Sequence, residues 1–318
     1  MALTQSSGDH LGSERAGIHI AFGVDSKYLP ALAACIYSIL QNNRDSAIVF
    51  HVITTSLTQS EIDALKTFAE THQATIQLHR PGADKLSMVP DPKFRRFSSA
   101  IFNRLLIGEI LQGVADRVLY LDADIICLRS LAEIRSIDLG GKIVGAVAEM
   151  PQHQNELRAG AGLAPDDLYF NSGVLYIDIE KWNRNHITQK VIQNLLDSYG
   201  KYSYPDQDAL NRVLKGEVHF LDRRWNLFFN HFKPSSDTVF LHYPNEKPWQ
   251  VWSNNFGDED FASSLSATSW AGWSDRAPVS RKQRFRHAKK LFRQGSLVQG
   301  LYWYAVAVCT RKSARVVP

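Results

Sequence analysis

The regular alternation of apolar strands and amphipathic helices near the start of this chain constrains its fold more than any other feature. Residues 18–24 form a continuous apolar run, IHIAFGV, and apolar residues then recur at helical spacing over 29–41. A second apolar strand is predicted at 48–53, a capped helix after Thr58 and a short third strand at 75–78. This order predicts a doubly wound, Rossmann-like α/β sheet with helices on both faces.

Further elements follow with the same rhythm. A helix is expected over 100–111, and apolar runs predict strands at 117–121, 143–147 and 173–179. From about Trp249 the pattern weakens, so the α/β domain is expected to end near there.

Three regions of different composition result. Residues 1–17 are a polar extension without the apolar core of a secretory signal peptide, 18–250 are the α/β domain, and 251–318 are a small basic region. Within that region, residues 262–271 are rich in Ser and Ala, and 281–293 (RKQRFRHAKKLFR) have apolar residues at near-helical spacing. We therefore expect it to be mainly helical. No run of 18 apolar residues occurs, so no transmembrane helix is expected.

Charge is unevenly distributed along the chain. Residues 276–318 contain 11 Lys and Arg and no Asp or Glu, whereas the whole chain carries 36 basic and 32 acidic residues. All acidic residues thus precede this tail, and there they outnumber the basic ones. The tail suits an anionic partner: a membrane surface, an acidic glycolipid or nucleic acid. The acidic balance of the rest and the lack of a nucleic-acid-binding motif argue against nucleic acid.

The cysteine pattern indicates a reducing compartment. Cys35, Cys127 and Cys309 lie among apolar neighbours, and an odd number of such residues favours free thiols. No Cys-x-x-Cys or Cys/His spacing typical of a structural zinc site occurs.

Two aspartates directly follow the strand predicted at 117–121. Asp122 and Asp124 are at i and i+2, so in an extended segment both side chains point the same way. They lie at the carboxyl end of a strand, where open α/β sheets bind ligands. Two close carboxylates repel each other unless a cation separates them, and hard divalent ions prefer such oxygens. The same spacing recurs at 206/208 and 258/260, so a pair of surface turn acids is the alternative.

Six motifs in a fixed order surround these aspartates. The chain resembles glycosyltransferase family 8, and within it the bacterial lipopolysaccharide core glucosyl- and galactosyltransferases, over about residues 18–250. The resemblance rests on Phe22-Gly23-Val24-Asp25, Phe102-Asn103-Arg104-Leu105, Leu119-Tyr120-Leu121-Asp122-Ala123-Asp124, Tyr169-Phe170-Asn171-Ser172-Gly173-Val174, Tyr204-Pro205-Asp206-Gln207-Asp208-Ala209-Leu210-Asn211, and His242-Tyr243 with Lys247-Pro248-Trp249.

The resemblance implies a GT-A-type fold for residues 18–250 and retaining transfer of an α-linked glucose or galactose from a UDP-sugar. It implies lipopolysaccharide core as acceptor, and a position on the cytoplasmic face of the inner membrane. The basic region 251–318 would then contact the anionic membrane surface or the acceptor. A family 8 enzyme with another glycan or a glycoprotein as acceptor is the nearest alternative, and a metal-dependent nucleotidyl- or phosphotransferase is a more distant one.

The resemblance also assigns a metal site. Asp122, Asp124 and the distant His242 correspond to the family's ligands for Mn²⁺ or Mg²⁺, and Lys247 corresponds to its diphosphate-binding lysine. The family usually has a glycine between this histidine and lysine, in a slightly longer link. Here the link is 243–246, YPNE.

Donor-binding roles follow in the same way. Asp25 corresponds to a nucleoside contact, Arg104 to a contact with the donor sugar, and Ala123, Asn171 and Gly173 to residues lining the donor. The alternatives from the residues alone are a helix cap for Asp25, a surface arginine for Arg104 and a β-bulge for Gly173.

Gln207 and Asp206 correspond to residues at the reacting sugar. A double displacement needs a nucleophile on the face opposite the leaving group, and an amide such as that of Gln207 is a poor one. This favours a front-face mechanism, in which Asp206 binds sugar hydroxyls. Capping of a helix after Pro205 is the alternative for the acids at 206 and 208. Glu149 replaces an acceptor-side aspartate of the family and receives no role.

Overall fold

The computed structural model describes residues 17–82, 85–89, 98–228, 232–274 and 277–310. All but the last residue of the polar extension at 1–17 lies outside this part of the chain. The described strands are β1 Ile18–Gly23, β2 Ile48–Ile53, β3 Thr75–His79, β4 Arg117–Leu121, β5 Ile125–Cys127, β6 Val144–Ala148, β7 Phe170–Asp178, β8 Val218–Phe220 and β9 Phe240–His242. The described α-helices are α1 Leu29–Asn42, α2 Gln59–Thr71, α3 Ile107–Ile110, α4 Pro151–Ala161, α5 Ile179–Arg184, α6 Ile187–Asp197, α7 Pro205–Val213, α8 Asp258–Ser266, α9 Arg281–Arg293 and α10 Leu297–Cys309.

The main sheet has seven strands in the order β3-β2-β1-β4-β7-β6-β8. Neighbours from β3 to β4 are parallel, whereas β7 runs antiparallel to both β4 and β6. The strands predicted from apolar runs are confirmed. Strands that are buried on both faces consist mainly of apolar residues, which is why such runs predict them. The antiparallel direction of β7 makes the sheet mixed, and it places the start of β7 beside the end of β4.

Side chains from alternate positions of the strands enter two separate apolar clusters. Ile20 of β1 and Leu119 of β4 pack with residues of α1 and α2, whereas Ala21 and Tyr120 pack with residues of α5, α6 and α7. Helices therefore cover both faces of the sheet, as predicted. The capping box at the start of α2, formed by Thr58 and Glu61, is also present.

The helix predicted over 100–111 is mostly a different structure. Residues Ser99–Leu106 form a 3₁₀-helix, and only the short α3 follows it. Ser98 caps this segment by accepting a hydrogen bond from the backbone N–H of Ala100. Because residues three apart eclipse each other in a 3₁₀-helix, the Arg104 side chain lies over Ile101 and donates to its carbonyl at 3.0 Å. This geometry directs Arg104 inward.

Three described helices, α8, α9 and α10, lie in the region 251–318 that was predicted to be mainly helical. The helix expected at 281–293 is α9, capped by Ser280 and Gln283, and it packs against α10. The preceding α8 packs on α1, and its Phe261 and Leu265 enter a third apolar cluster with Tyr243 and Trp249. In the part of the chain described, no helix has the length and apolar character needed to cross a bilayer.

A row of three histidines joins the first three strands of the sheet. His51 Nε2 lies 2.9 Å from His19 Nδ1, and His51 Nδ1 lies 3.0 Å from His79 Nε2. Burial, reinforced by the neighbouring imidazoles, lowers the pKa of His51 well below its usual value, and burial lowers the pKa of His79. Folding therefore favours the neutral forms of His51 and His79.

Acid should weaken the fold through this row. Below about pH 6.5, the pKa of histidine in an unfolded chain, the unfolded state binds a proton that folded His51 does not. Stability is thus complete above that pH and falls below it, by about 1.4 kcal/mol per pH unit for each excluded proton. Urea unfolding at pH 7.5, 6.5 and 5.5 measures this slope.

His51→Gln should lower the slope of the unfolding free energy against pH by about 1.4 kcal/mol per pH unit, which corresponds to one proton. The matched control is His219→Gln in β8, at the other edge of the sheet. Equal slopes for wild type and His51→Gln would contradict the role of the histidine row.

Candidate active site

The two aspartates after β4 and the histidine of β9 converge on one point. Asp122 and Asp124 lie in the turn between β4 and β5, and His242 is the last residue of β9. His242 Nε2 is 3.3 Å from Asp124 Oδ1 and 3.9 Å from Asp122 Oδ2. In the described part of the chain, this is the one group of three potential ligands that lie within 4.8 Å of one another.

Strand pairing brings the histidine to the aspartates across more than a hundred residues. β5 and β9 form a separate two-stranded antiparallel sheet in which Ile125 pairs with His242. Beyond that pair, the backbone N–H of Tyr243 donates to the Asp124 carbonyl at 3.0 Å. The register of this small sheet therefore places the imidazole beside the turn that carries both carboxylates.

The Asp124 carboxylate is buried and only partly satisfied by protein groups. Its Oδ2 accepts a hydrogen bond from Lys247 Nζ, whereas its Oδ1 accepts none. Burial opposes ionisation, but the charges of Lys247 and His242 prevail and lower the pKa of Asp124. The residue is thus a carboxylate with one buried oxygen available to a cation.

Asp122 is held by two other side chains. Its Oδ1 accepts hydrogen bonds from Tyr120 at 2.7 Å and from Arg104 at 2.9 Å. Its backbone N–H donates to the Gly173 carbonyl at 2.8 Å, which ties the end of β4 to β7. The second carboxylate oxygen faces His242 and Asp124, so Tyr120 and Arg104 orient the group towards the cluster.

Gly173 leaves the space that the cluster occupies. A Cβ atom at this position would lie 2.3 Å from His242 Cε1 and 2.9 Å from Asp122 Oδ2. Any side chain would therefore displace two of the three potential ligands. This close approach requires glycine here. Gly173 also lies in a β-bulge, because Ala146 of β6 pairs with Leu175 whereas the next residue, Val147, pairs with Asn171, so that residues 172–174 of β7 are extra in the pairing.

Two buried asparagines lie behind the histidine. His242 Nδ1 is 3.0 Å from Asn226 Oδ1, and Asn226 Nδ2 is 3.0 Å from Asn171 Oδ1. Asn171 Oδ1 also accepts a hydrogen bond from the backbone N–H of Gly173 at 3.0 Å. Asn171 was expected at the donor, whereas nothing in the sequence near Asn226 pointed to the site.

Arg104 joins the cluster of Asp122, Asp124 and His242 to the helix that carries Gln207. Its guanidinium pairs with Asp122 and, at 3.2 Å, with Asp206 Oδ2. Burial disfavours the charged guanidinium, but Asp122, Tyr120 and Asp206 outweigh this effect and raise the pKa of Arg104. Burial raises the pKa of Asp206 despite the pairing with Arg104. Arg104 is thus a buried cation between two site carboxylates, not a surface residue.

Gln207 is held at both ends of its amide. Its Oε1 accepts a hydrogen bond from the Ser172 backbone N–H at 2.9 Å, and its Nε2 lies 3.1 Å from the Tyr169 hydroxyl. Asp208, two residues from Asp206, accepts from the Tyr204 N–H at the start of α7 and from the Tyr169 hydroxyl. Asp208 therefore binds the backbone at the start of α7, whereas Asp206 pairs with Arg104 and also accepts hydrogen bonds from N–H groups of the first turn.

The remaining predicted positions lie at the same edge of the sheet, with differing contacts. Asp25 follows β1 and caps a short turn by accepting from the Tyr28 N–H at 3.2 Å. Ala123 is buried in the core on the α1 side, so only its backbone faces the turn. Glu149, just past β6, is buried, and burial raises its pKa. Lys247 Nζ reaches Asp124 through the 243–246 link by also donating to the Tyr243 and Pro244 carbonyls.

The residues of the cluster suit a hard divalent cation. Two carboxylate oxygens and one imidazole nitrogen are ligands of the kind that Mn²⁺ and Mg²⁺ accept. The unpartnered Asp124 Oδ1 and the space left by Gly173 fit the same occupant. The adjacent Lys247 and Arg104 add positive charge where an anionic phosphate ligand would need it.

Comparisons with known proteins agree with this geometry. The family model for glycosyl transferase family 8 matches residues 19–253. The chain is 30% identical over 290 residues to a lipopolysaccharide 1,2-glucosyltransferase of Escherichia coli K12, covering 85% of each chain. It is 28% identical over 315 residues to a lipopolysaccharide 1,3-galactosyltransferase of Salmonella typhimurium, covering 94% of this chain and 93% of the relative.

Among solved structures, the galactosyltransferase LgtC, crystallised with donor and acceptor sugar analogues, superposes with a TM-score of 0.69 at 26% identity. The match covers 79% of this chain and 96% of LgtC. The fold is accordingly of the GT-A type. The chain therefore belongs to glycosyl transferase family 8 and is a hexosyltransferase.

Proposed function

We propose that this enzyme transfers glucose or galactose from a UDP-sugar to the lipopolysaccharide core, with retention of the α-configuration. The observation that carries the proposal is the convergence of Asp122, Asp124 and His242, with an unpartnered buried carboxylate oxygen, in a family 8 chain. The names of its relatives in Escherichia coli and Salmonella support the acceptor class.

We assign Asp122, Asp124 and His242 to the binding of one Mn²⁺ or Mg²⁺ ion. When bound, such an ion supplies Lewis-acid stabilisation of the negative charge that develops on the departing diphosphate. Lys247 lies against Asp124, so its ammonium is placed to bind the same phosphate oxygens. Arg104 holds Asp122 in position and supplies a second positive charge towards the donor sugar.

The surroundings of Gln207 support a front-face reaction. Both ends of its amide are engaged with Ser172 and Tyr169, so the group is positioned as a fixed dipole, and an amide is in any case a poor nucleophile. In the proposed mechanism the bond to UDP breaks first and the acceptor hydroxyl attacks from the same face. The departing phosphate oxygen takes the acceptor proton. Asp206, fixed by Arg104, then binds sugar hydroxyls.

The donor assignments complete the site. Asp25, Ala123, Asn171 and Gly173 lie at the carboxyl edge of the sheet, where the nucleoside and sugar would bind. For Ala123 and Gly173 the available contacts are with the backbone, because the first side chain is buried and the second is absent.

Product analysis tests the reaction directly. The purified enzyme, given UDP-glucose or UDP-galactose, truncated core glycolipid and Mn²⁺, should release UDP and extend the glycolipid. Asp124→Ala should lower turnover by on the order of 10²–10³, because a charge-stabilising group is lost. Chelation of the metal should have a comparable effect.

The alternatives give different products. If the enzyme transferred the sugar to another glycan or to a glycoprotein, and not to core glycolipid, the proposed acceptor would be wrong. Release of pyrophosphate would indicate a nucleotidyltransferase. Activity of Asp124→Ala near wild type in Mn²⁺ buffer would reject the site assignment.

Gly173→Ala tests the cradle around the ligands. The added methyl group should push His242 away from Asp122, so Mn²⁺-dependent UDP binding, measured by calorimetry, should weaken at least tenfold. Gly160→Ala in α4 is the matched control, since a Cβ there meets no atom within 4 Å. Equal UDP affinity in the two variants would show that the space beside Gly173 is not part of the site.

We further propose that α9 and α10 attach the enzyme to an anionic membrane surface, on the cytoplasmic face of the inner membrane. α9 carries the basic residues, and α10 exposes apolar and aromatic side chains, including Leu297 and Val298, which are 63% and 82% exposed. α9 is also tied to the body, since Arg286 pairs with Glu246 at 2.5 Å, one residue before Lys247.

Vesicle sedimentation tests this attachment. Replacing Leu297, Val298 and Leu301 together by Ser should lower binding to vesicles containing anionic lipid at least tenfold, because each exposed aliphatic side chain is worth about 1.5–3 kcal/mol when fully buried. Leu168→Ser, at an exposed leucine of the body, is the control. Unchanged vesicle binding of the triple variant would exclude α10 as the attached surface.

A further inference from the structure

The tautomer of His242 can be deduced from the hydrogen bonds behind it. A neutral imidazole carries its proton on either Nδ1 or Nε2, and only the unprotonated nitrogen can bind a cation. The orientation of an asparagine amide is equally ambiguous when viewed alone. Here a backbone N–H removes both ambiguities, because a backbone amide is always a donor.

The backbone N–H of Gly173 donates to one atom of the Asn171 amide at 3.0 Å, so that atom must be the carbonyl oxygen. The Asn226 atom that lies 3.0 Å from the same oxygen must then be the NH₂ group. The carbonyl of Asn226 consequently faces His242 Nδ1 at 3.0 Å, and Nδ1 must carry the proton.

The other end of this chain is an acceptor. Once its oxygen faces Gly173, the NH₂ group of Asn171 faces the buried Glu149 carboxylate, to which it is hydrogen-bonded. Each group in the series from His242 through Asn226 and Asn171 to Glu149 thus donates to the next. All four side chains are at least nine-tenths buried, so water does not compete for these contacts.

The proton on Nδ1 determines how His242 Nε2 can act. In the neutral ring the proton is on Nδ1, so the lone pair of His242 Nε2 faces Asp124 Oδ1, 3.3 Å away, and Asp122 Oδ2, 3.9 Å away. These three atoms can then all bind one cation.

We propose that Asn226 is a positioning residue that keeps the His242 Nε2 lone pair directed at the metal site. The inference rests on the proposed function, because it assigns Asn226 a role in that site. In the described structure the Asn226 side chain hydrogen-bonds with His242 and Asn171 rather than with the two aspartates, so it acts through His242. Changes to such partners of ligand histidines typically lower metal affinity about 10–100-fold.

Two substitutions of similar size separate the acceptor from the packing. Asn226→Leu fills the same space but offers His242 Nδ1 no acceptor, whereas Asn226→Asp retains an acceptor. Asn183→Leu is the control, because Asn183 donates to the Gly108 carbonyl at 2.7 Å, on another helix and away from the site. Thermal melting establishes that each variant is folded.

The tautomer is measured first, in the metal-free enzyme. Long-range ¹H–¹⁵N spectra of histidine-labelled protein at pH 8 distinguish the two tautomers, and His242→Gln assigns the His242 signals. Wild type, Asn226→Asp and Asn183→Leu should carry the proton on Nδ1. Asn226→Leu should move it to Nε2. A wild-type proton on Nε2, or an unchanged tautomer in Asn226→Leu, would overturn the proposal even if no other variant folds.

Mn²⁺ binding is measured second, by electron paramagnetic resonance of the free ion. Asn226→Leu should bind Mn²⁺ about 10–100-fold more weakly than wild type, and the Mn²⁺ affinity of Asn226→Asp should remain within about tenfold of wild type. If both substitutions weakened Mn²⁺ binding equally, the hydrogen-bond acceptor at position 226 would have no role. If wild type binds no Mn²⁺, the proposed metal site fails, while the tautomer measurement still decides whether Asn226 orients His242.

Discussion

The rest of the site depends on the repulsion between two carboxylates that the fold holds close together. Asp122 and Asp124 cannot separate, because the turn between β4 and β5 fixes both backbones and β9 closes the third side with His242. Asp124 is buried and Asp122 is partly buried, so solvent screens the repulsion less than it would at the surface. Two neighbouring cations partly compensate this negative charge: Lys247 pairs with Asp124, and Arg104 pairs with Asp122. This balance of charges is the basis for the proposal that the site holds a metal ion and a diphosphate.

The same cations connect the site to more distant parts of the molecule. Arg104 also pairs with Asp206, so the residues proposed to hold the sugar are rigidly linked to those proposed to hold the metal. On the other side, Lys247 follows Glu246, which pairs with Arg286 of α9. Two adjacent residues, Glu246 and Lys247, therefore contact α9 and the proposed donor site respectively.

The apolar strands and the residues of the DxD turn could be predicted from local sequence, because a strand buried on both faces must be continuously apolar. Three features of the site could not be predicted from the sequence. Ser99–Leu106 has the apolar spacing of a helix, but it forms a tighter 3₁₀-helix in which Arg104 turns inward. Asn226 follows a short turn with no motif of its own, and its importance arises only because the chain folds it against His242. Tyr120 was part of a motif, but its hydrogen bond to Asp122 becomes evident only in three dimensions.

The sequence by itself determined the α/β architecture, the family and the types of residue available for chemistry, since these follow from periodicity and from motifs in order. Tertiary structure decided how those residues act. The pairing of β5 with β9 brought a histidine to two aspartates more than a hundred positions away, and the antiparallel direction of β7 placed Gly173 where no side chain would fit. Such contacts join residues that are far apart in the chain. Local sequence patterns therefore do not determine the distance between these residues or the direction of the hydrogen bonds that join them.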